Sequence, residues 1–330
     1  MTAYDSPAAA KAPAEAPPLH APDDPSGSRR GLWPVVRLLG GFAILAVLFW
    51  RVGSGPFIDG IRQIDARAVM AAVILGAITT VCCAWRWSLV ARGLGVRVPM
   101  RTAVPAYYRS QFLNVTLPGG VVGDVHRAVN HGREVGNVSG GVRAVAWERS
   151  AGQFVQIALT VAILLLLPSP VRAAMPALAL ATLAVGVGVL LAARTLPRSG
   201  ASRWARALNT ATSDLRDGLF ARRNWPFIVL ASAVAVAGHT ATFLLAARTA
   251  GVSMTATQML PLALIVLLAM ALPLSIGGWG PREGVAAWAF AMAGLGAAAG
   301  ITTAVVYGIL VLAATLPGGV VLLVAWLRRD

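Results

Sequence analysis

Residues 68–90 are mostly apolar and carry no charge apart from Arg86, and as an α-helix such a run covers the ~30 Å hydrocarbon core of a bilayer. Only helices and closed barrels satisfy their own backbone in lipid, so a chain built from such runs has few folds open to it. Further apolar runs lie at about 33–50, 144–167, 175–193, 226–247, 259–274 and 302–326, with a short, small-residue-rich one at 285–299. Hydrophobic residues make up 57% of the chain and charged ones 12%, against about a quarter charged in a soluble domain. The expected fold is all-α: a polytopic transmembrane helical bundle of about eight spans plus two re-entrant broken helices. Residues 1–30, rich in Ala, Pro, Asp and Ser, are expected to form a disordered cytoplasmic tail, and 31–330 a single transmembrane domain.

The net charge is +15. Nucleic acid is excluded as its explanation, because the arginines fall in loops between apolar runs, where the positive-inside rule places them. With the N-terminus inside, the inner loops hold Arg29, Arg30, Arg92, Arg97, Arg101, Arg127, Arg133, the arginines between 194 and 223, Arg328 and Arg329. The outer loops hold Arg51, Arg62, Arg67, Arg172 and Arg248. Both termini are therefore expected to be cytoplasmic. Trp85-Arg86-Trp87 has the composition of an interface anchor, and Trp204 and Leu208 are spaced for an amphipathic helix on the inner leaflet.

Two interruptions stand out. The stretch 109–127, RSQFLNVTLPGGVVGDVHR, places Arg109, Asn114, Asp124, His126 and Arg127 around a Pro118-Gly119-Gly120 break, with Gly123 just beyond. The stretch 273–284, PLSIGGWGPREG, places Trp279, Arg282 and Glu283 beside Gly277, Gly278 and Gly280. Charged groups and unpaired amides at membrane depth are costly, so such segments line a watery cavity or are buried in protein. Asp124 and Arg127, three apart, pair if a helix starts after Gly123. Free amides at such a start suit an anion, and an arginine grips phosphate with two donors. Glu148, Arg149, Gly152 and Gln156 come next in the chain, with Glu148, Gly152 and Gln156 on one helix face. Paired Gly/Pro interruptions in opposite halves of a chain point to a transporter's binding site at a repeat interface. TLPGGVV recurs at 315–321 without charges, as packing within the last span.

Adjacent Cys82 and Cys83 suit neither a disulfide framework nor a metal site. The four histidines lack metal spacing, and His239 suits a helix-to-helix hydrogen bond. No cofactor and no metal are expected. GxxxxGK[ST] does not occur, so transport would be driven by a gradient or run downhill.

At these residues the chain resembles the flippase-like membrane domain family, also called the lysylphosphatidylglycerol synthase transmembrane region. The likeness rests on Trp85-Arg86, on TLPGGVVGDVHR at 116–127, on Glu148-Arg149-x-x-Gly152, and on GGWGPREG at 277–284. Val122 departs from the family's more usual glycine. The resemblance implies a domain that moves lipids with anionic or modified head groups, or polyprenyl-linked sugars, between leaflets. Some relatives carry a fused aminoacyl-transferase domain; none is expected after Asp330, so no enzyme activity is expected.

The first functional expectation is a lipid translocator of the bacterial inner membrane. Its head-group site would be Arg109, Asn114, Asp124, Arg127, Glu148, Arg149, Trp279, Arg282 and Glu283, and its partners a membrane lipid or lipid-linked sugar and lipid-synthesis enzymes. The alternatives are an intramembrane enzyme using Glu148 or Asp124 as general base, and a non-transporting subunit of a lipid-synthesis complex.

Overall fold

Asp65 opens the first long apolar helix by accepting a hydrogen bond from the Ala68 amide at 2.8 Å, which satisfies one of the donors a helix start leaves unpaired. The computed structural model describes residues 43–44, 46–117, 120–195, 203–221, 223–270 and 279–328, with main chain only at 193–195 and 203–205. Its helices are α1 (Gly55–Arg62), α2 (Ala66–Gly93), α3 (Met100–Thr116), α4 (Val122–Glu134), α5 (Val138–Leu166), α6 (Met175–Thr195), α7 (Arg203–Ser213), α8 (Trp225–Thr249), α9 (Ala256–Ala269), α10 (Pro281–Met292) and α11 (Ala297–Leu327). Five are long and apolar enough to cross a membrane: α2, α5, α6 with the turn before it, α8 and α11. The protein is an all-α, multi-pass membrane bundle. The expected tail and most of the run 33–50 lie outside the described residues.

Besides α1 and α7, four helices fall short of a span. At 1.5 Å per residue α3 and α4 reach about 26 and 20 Å, and α9 and α10 about 21 and 18 Å. Each pair forms a hairpin. In the first, a methyl at Gly123 would overlap the Ser110 carbonyl, so only glycine lets the arms approach this closely. The second replaces two features expected from the sequence. Within the run 259–274 the described helix ends at Ala269 and is one arm, with 271–274 outside the described residues, while 285–299 is divided by a turn at 293–296, with positive φ at Gly294 and Gly296. Residues after that turn belong to α11, which continues unbroken through Pro317. Its uncharged TLPGGVV copy is indeed packing: the α-carbon of Gly318 lies against the Tyr108 backbone and the Phe112 side chain.

The order span, hairpin, span occurs twice, as α2–α3/α4–α5 and α8–α9/α10–α11. The first helices of the two sets run antiparallel, since Trp85 meets Phe227, Arg86 meets Ser232 and Thr79 meets Gly238. Each hairpin starts from the C-terminal end of its own first span. The two therefore enter from opposite faces, with Leu117, Gly120 and Val121 the described residues at one tip and Met270, Trp279 and Gly280 those at the other. Small residues make the contacts between spans close, as where Gly76 meets Ala314 and Gly238 meets Thr79, which is how helices hold together without a hydrophobic driving force in lipid. Around the second set, Phe243 packs against Phe290 and Tyr307 with centroids 6.4 and 5.5 Å apart.

The arginine-rich stretch between the sets does more than lie on a leaflet. Buried Asp214 accepts from Trp147 Nε1 at 3.0 Å and pairs with Arg143 at 3.4 Å. The α-carbon of Gly93 leaves no room for a side chain against Asp217 and Gly218. Leu208 is exposed, while the Trp204 side chain lies outside the described residues.

Candidate functional site

A helix that begins at Val122 turns Asp124 and Arg127 to the same side, and they pair at 3.0 Å as their spacing requires. The pair meets α5 about 15 Å along that helix, well inside the span. There Arg127 Nη2 also reaches Glu148 Oε2 at 3.0 Å, and Arg149 Nη2 reaches Asp124 Oδ2 at 2.5 Å. From α2, Arg86 donates through Nε (2.9 Å) and Nη2 (2.5 Å) to Glu148 Oε1, and through Nη1 to Ser232 at 3.1 Å. A methyl on Gly152 would meet that guanidinium at 2.5 Å. The glycine one turn after Glu148 is thus the socket for Arg86.

Each carboxylate is saturated. Asp124 accepts from Ser110, Asn114, Arg127 and Arg149. Glu148 accepts from Arg86, Tyr107 and Arg127 and is fully buried. Arg127 spends only Nη2 on acids and otherwise lies between aromatic faces, 4.5 Å from the Trp87 centroid and 4.3 Å from that of Tyr107, where a cation is held by the ring quadrupoles.

The second tip is simpler. Gly280, at φ +105°, donates its amide to Glu283 Oε2 at 2.7 Å. Arg282 Nε and Nη2 donate to Glu283 Oε1 at 2.8 and 2.5 Å. The guanidinium lies 4.6 Å from the Trp279 ring and 5.7 Å from Tyr307, against Gly308 of α11. Both residues are buried against the middle of a span, so this motif is no surface turn. At both helix starts an amide the sequence offers to an anion is taken by the chain itself: Gly123 donates to Asn114 at 2.8 Å, and Gly280 to Glu283.

The two tips open on one cavity of about 780 Å³. Its lining includes Asn114, Asp124 and Arg149 from one side and Trp279 and Arg282 from the other, together with Arg86. Glu148, Glu283 and Arg127 stand directly behind this wall. Arg109 is half-buried on α3 and is not part of the lining. The cations that face the cavity are therefore Arg86, Arg149 and Arg282, and Arg149 is the most open, with 46% of its side chain exposed. Gly120 lines the cavity, Gly123 packs the hairpin, and Pro118, Gly119, Gly277 and Gly278 lie outside the described residues.

Arg86 is the cavity residue that local sequence pattern hides. Trp85-Arg86-Trp87 looks like an interface anchor, yet Arg86 and Trp87 are buried. The available signal is an arginine interrupting a span some seven residues before its end. Tyr107, Ser110 and Ser232, the hydroxyls that complete the network, carry no such signal. His239 meets Tyr307 at 3.4 Å, a contact between spans. Among the described residues no three His, Cys, Asp or Glu side chains are grouped as a metal site requires.

A comparison with curated proteins returns no match. The sequence model of the lysylphosphatidylglycerol synthase TM region matches residues 35–319, a stretch that holds both hairpins and every residue of the cavity, and the chain belongs to that family.

Proposed function

We propose that the protein moves a lipid with an anionic, modified or polyprenyl-linked head group across a bacterial inner membrane, the head group passing through the cavity between the hairpin tips. The observation that carries this reading is the convergence of ion-bearing tips from opposite faces on one cavity at mid-span depth, where ionisable groups mark a pathway. The cavity also has an apolar flank. Val121, Val125 and Val142 line it and are 42%, 59% and 46% exposed, so acyl chains can stay in lipid while the head group sits among the arginines.

The test is a leaflet-resolved assay on vesicles containing the purified protein and a head-group-labelled lipid. Transport at least tenfold faster than in protein-free vesicles is expected, with Arg149→Ala and Arg282→Ala each losing most of it while remaining folded. Rates that match protein-free vesicles, or that are unchanged in both variants, overturn the proposal.

A further inference from the structure

The amphipathic helix between the two sets lies with its apolar side outward. On α7, Ala207, Leu208 and Ala211 fall on one face. Ala207 and Leu208 are exposed, Leu208 by 52%, while the side turned to the protein buries Thr212 and, just past the helix, Asp214. A helix that packs on its own protein buries its apolar stripe, so this one is turned toward an apolar partner.

Its place in the fold says which. α7 leads into one π-helical turn (Asp214–Leu219), and that turn lies where α2 ends, since Gly93 packs against the backbone of Asp217 and Gly218. The segment therefore sits at the end of the bundle, where spans leave the bilayer. Arg92, Arg97, Arg101, Arg133, Arg206 and Arg223 are exposed at this end, and the exposed acids there, among the described residues, are Glu134 and Asp217. An apolar stripe bordered by arginines fits a leaflet of anionic lipids.

The inward side of the same segment is wired to the ion network. Asp214 accepts from Trp147 Nε1 at 3.0 Å and pairs with Arg143 at 3.4 Å, both on α5. Leu219 packs against an apolar cluster of Leu89, Val90, Ala151 and Ile228, which Trp85 and Trp147 also border. Trp85, Trp147 and Ala151 are the chain neighbours of Arg86, Glu148 and Gly152. Those three form a buried lock, in which Gly152 seats the guanidinium and Glu148 grips it. Through one cluster the segment reaches the neighbour of every member of the lock. Loosening Asp214 leaves Trp147 Nε1 without its acceptor, and Glu148 and Arg149 are the next two residues of α5.

We propose that α7 rests on an anionic leaflet and that Asp214 and Leu219 pass its hold to α5 and α2, so that leaflet charge sets how firmly the Arg86–Glu148 lock is closed. Asp214 is a positioning residue, acting through Trp147.

Hydrogen exchange read by mass spectrometry on the full chain in lipid nanodiscs tests this without any assay of transport. The discs are phosphatidylcholine alone, or with about one third phosphatidylserine to make the surface negative. In the charged discs exchange is expected to slow at least about threefold at 206–213 and at 143–148. Leu208→Ser, a change at an exposed position, is expected to lose both responses. Trp147→Phe keeps a ring and removes the donor; it is expected to keep the response at 206–213 and lose the one at 143–148. Asp214→Ala should match it, with the unfolding midpoints of all three variants checked in detergent. Equal exchange in the two discs overturns the proposal, as does a response at 206–213 that does not reach 143–148 in the unaltered chain, or one at 143–148 that persists in Trp147→Phe. A response at 143–148 that survives Leu208→Ser would come from lipid in the cavity and overturns it as well. Slowing at 206–213 that follows the number of copies per disc, or an added soluble protein, rather than lipid charge assigns the stripe to a protein partner and overturns it too. Absence of lipid transport would sink the proposed translocation and leave this assignment standing.

Discussion

The two hairpin tips carry similar residues and are wired differently. At the first, charges come from three separate elements: Arg86 on α2, Asp124 and Arg127 on α4, and Glu148 and Arg149 on α5, with α3 adding Tyr107, Ser110 and Asn114. At the second, Gly280, Arg282 and Glu283 satisfy one another within a single turn of α10. The first tip cannot shift against α2 or α5 without separating charges at membrane depth. The second can move as a unit and keep its ion pair intact.

The largest expected effect tests this contrast directly. Glu148→Gln strands Arg86 and takes one of the two carboxylates from Arg127, which keeps Asp124, and breaking a buried pair costs about 3–5 kcal/mol. Glu283→Gln strands only Arg282, which keeps its aromatic neighbours and borders the cavity, so a cost of about 1–3 kcal/mol is expected. Thermal unfolding in detergent compares the two, and equal or reversed losses would break the distinction. A smaller effect sharpens it. Gly152→Ala crowds a guanidinium pinned by Glu148 and Ser232 and is expected to cost about 1–3 kcal/mol. Gly308→Ala crowds Arg282, which its hairpin can carry aside, and the loss should stay below about 1 kcal/mol. The smallest effect on stability belongs to Arg149→Ala. Its partner Asp124 keeps Ser110, Asn114 and Arg127, which limits the loss to about 1 kcal/mol or less, although transport should fall steeply.

Much of this is legible from local pattern. Spacing alone pairs Asp124 with Arg127 and sets Glu148, Gly152 and Gln156 on one face, because helical periodicity is a property of neighbours. The hairpins are legible where polar residues shorten an apolar run, as at 103–117, and not where composition stays greasy, as at 259–274. Which arginine faces the cavity is not legible. Arg127 and Arg149 are equally charged, and only the rotation of α4 against α5 turns one toward the Trp87 and Tyr107 rings and the other toward open space. Arg86 is hidden for the same reason, since Glu148, its partner, lies 62 residues away.

The antiparallel repetition of span, hairpin and span has a consequence for vectorial behaviour. A turnstile built to the same plan from either street has no inherent forward direction. Under the proposed function, whichever leaflet is stocked by synthesis and whichever is drained by consumption would set the net traffic, and reversing that supply would reverse the flow through an unaltered protein.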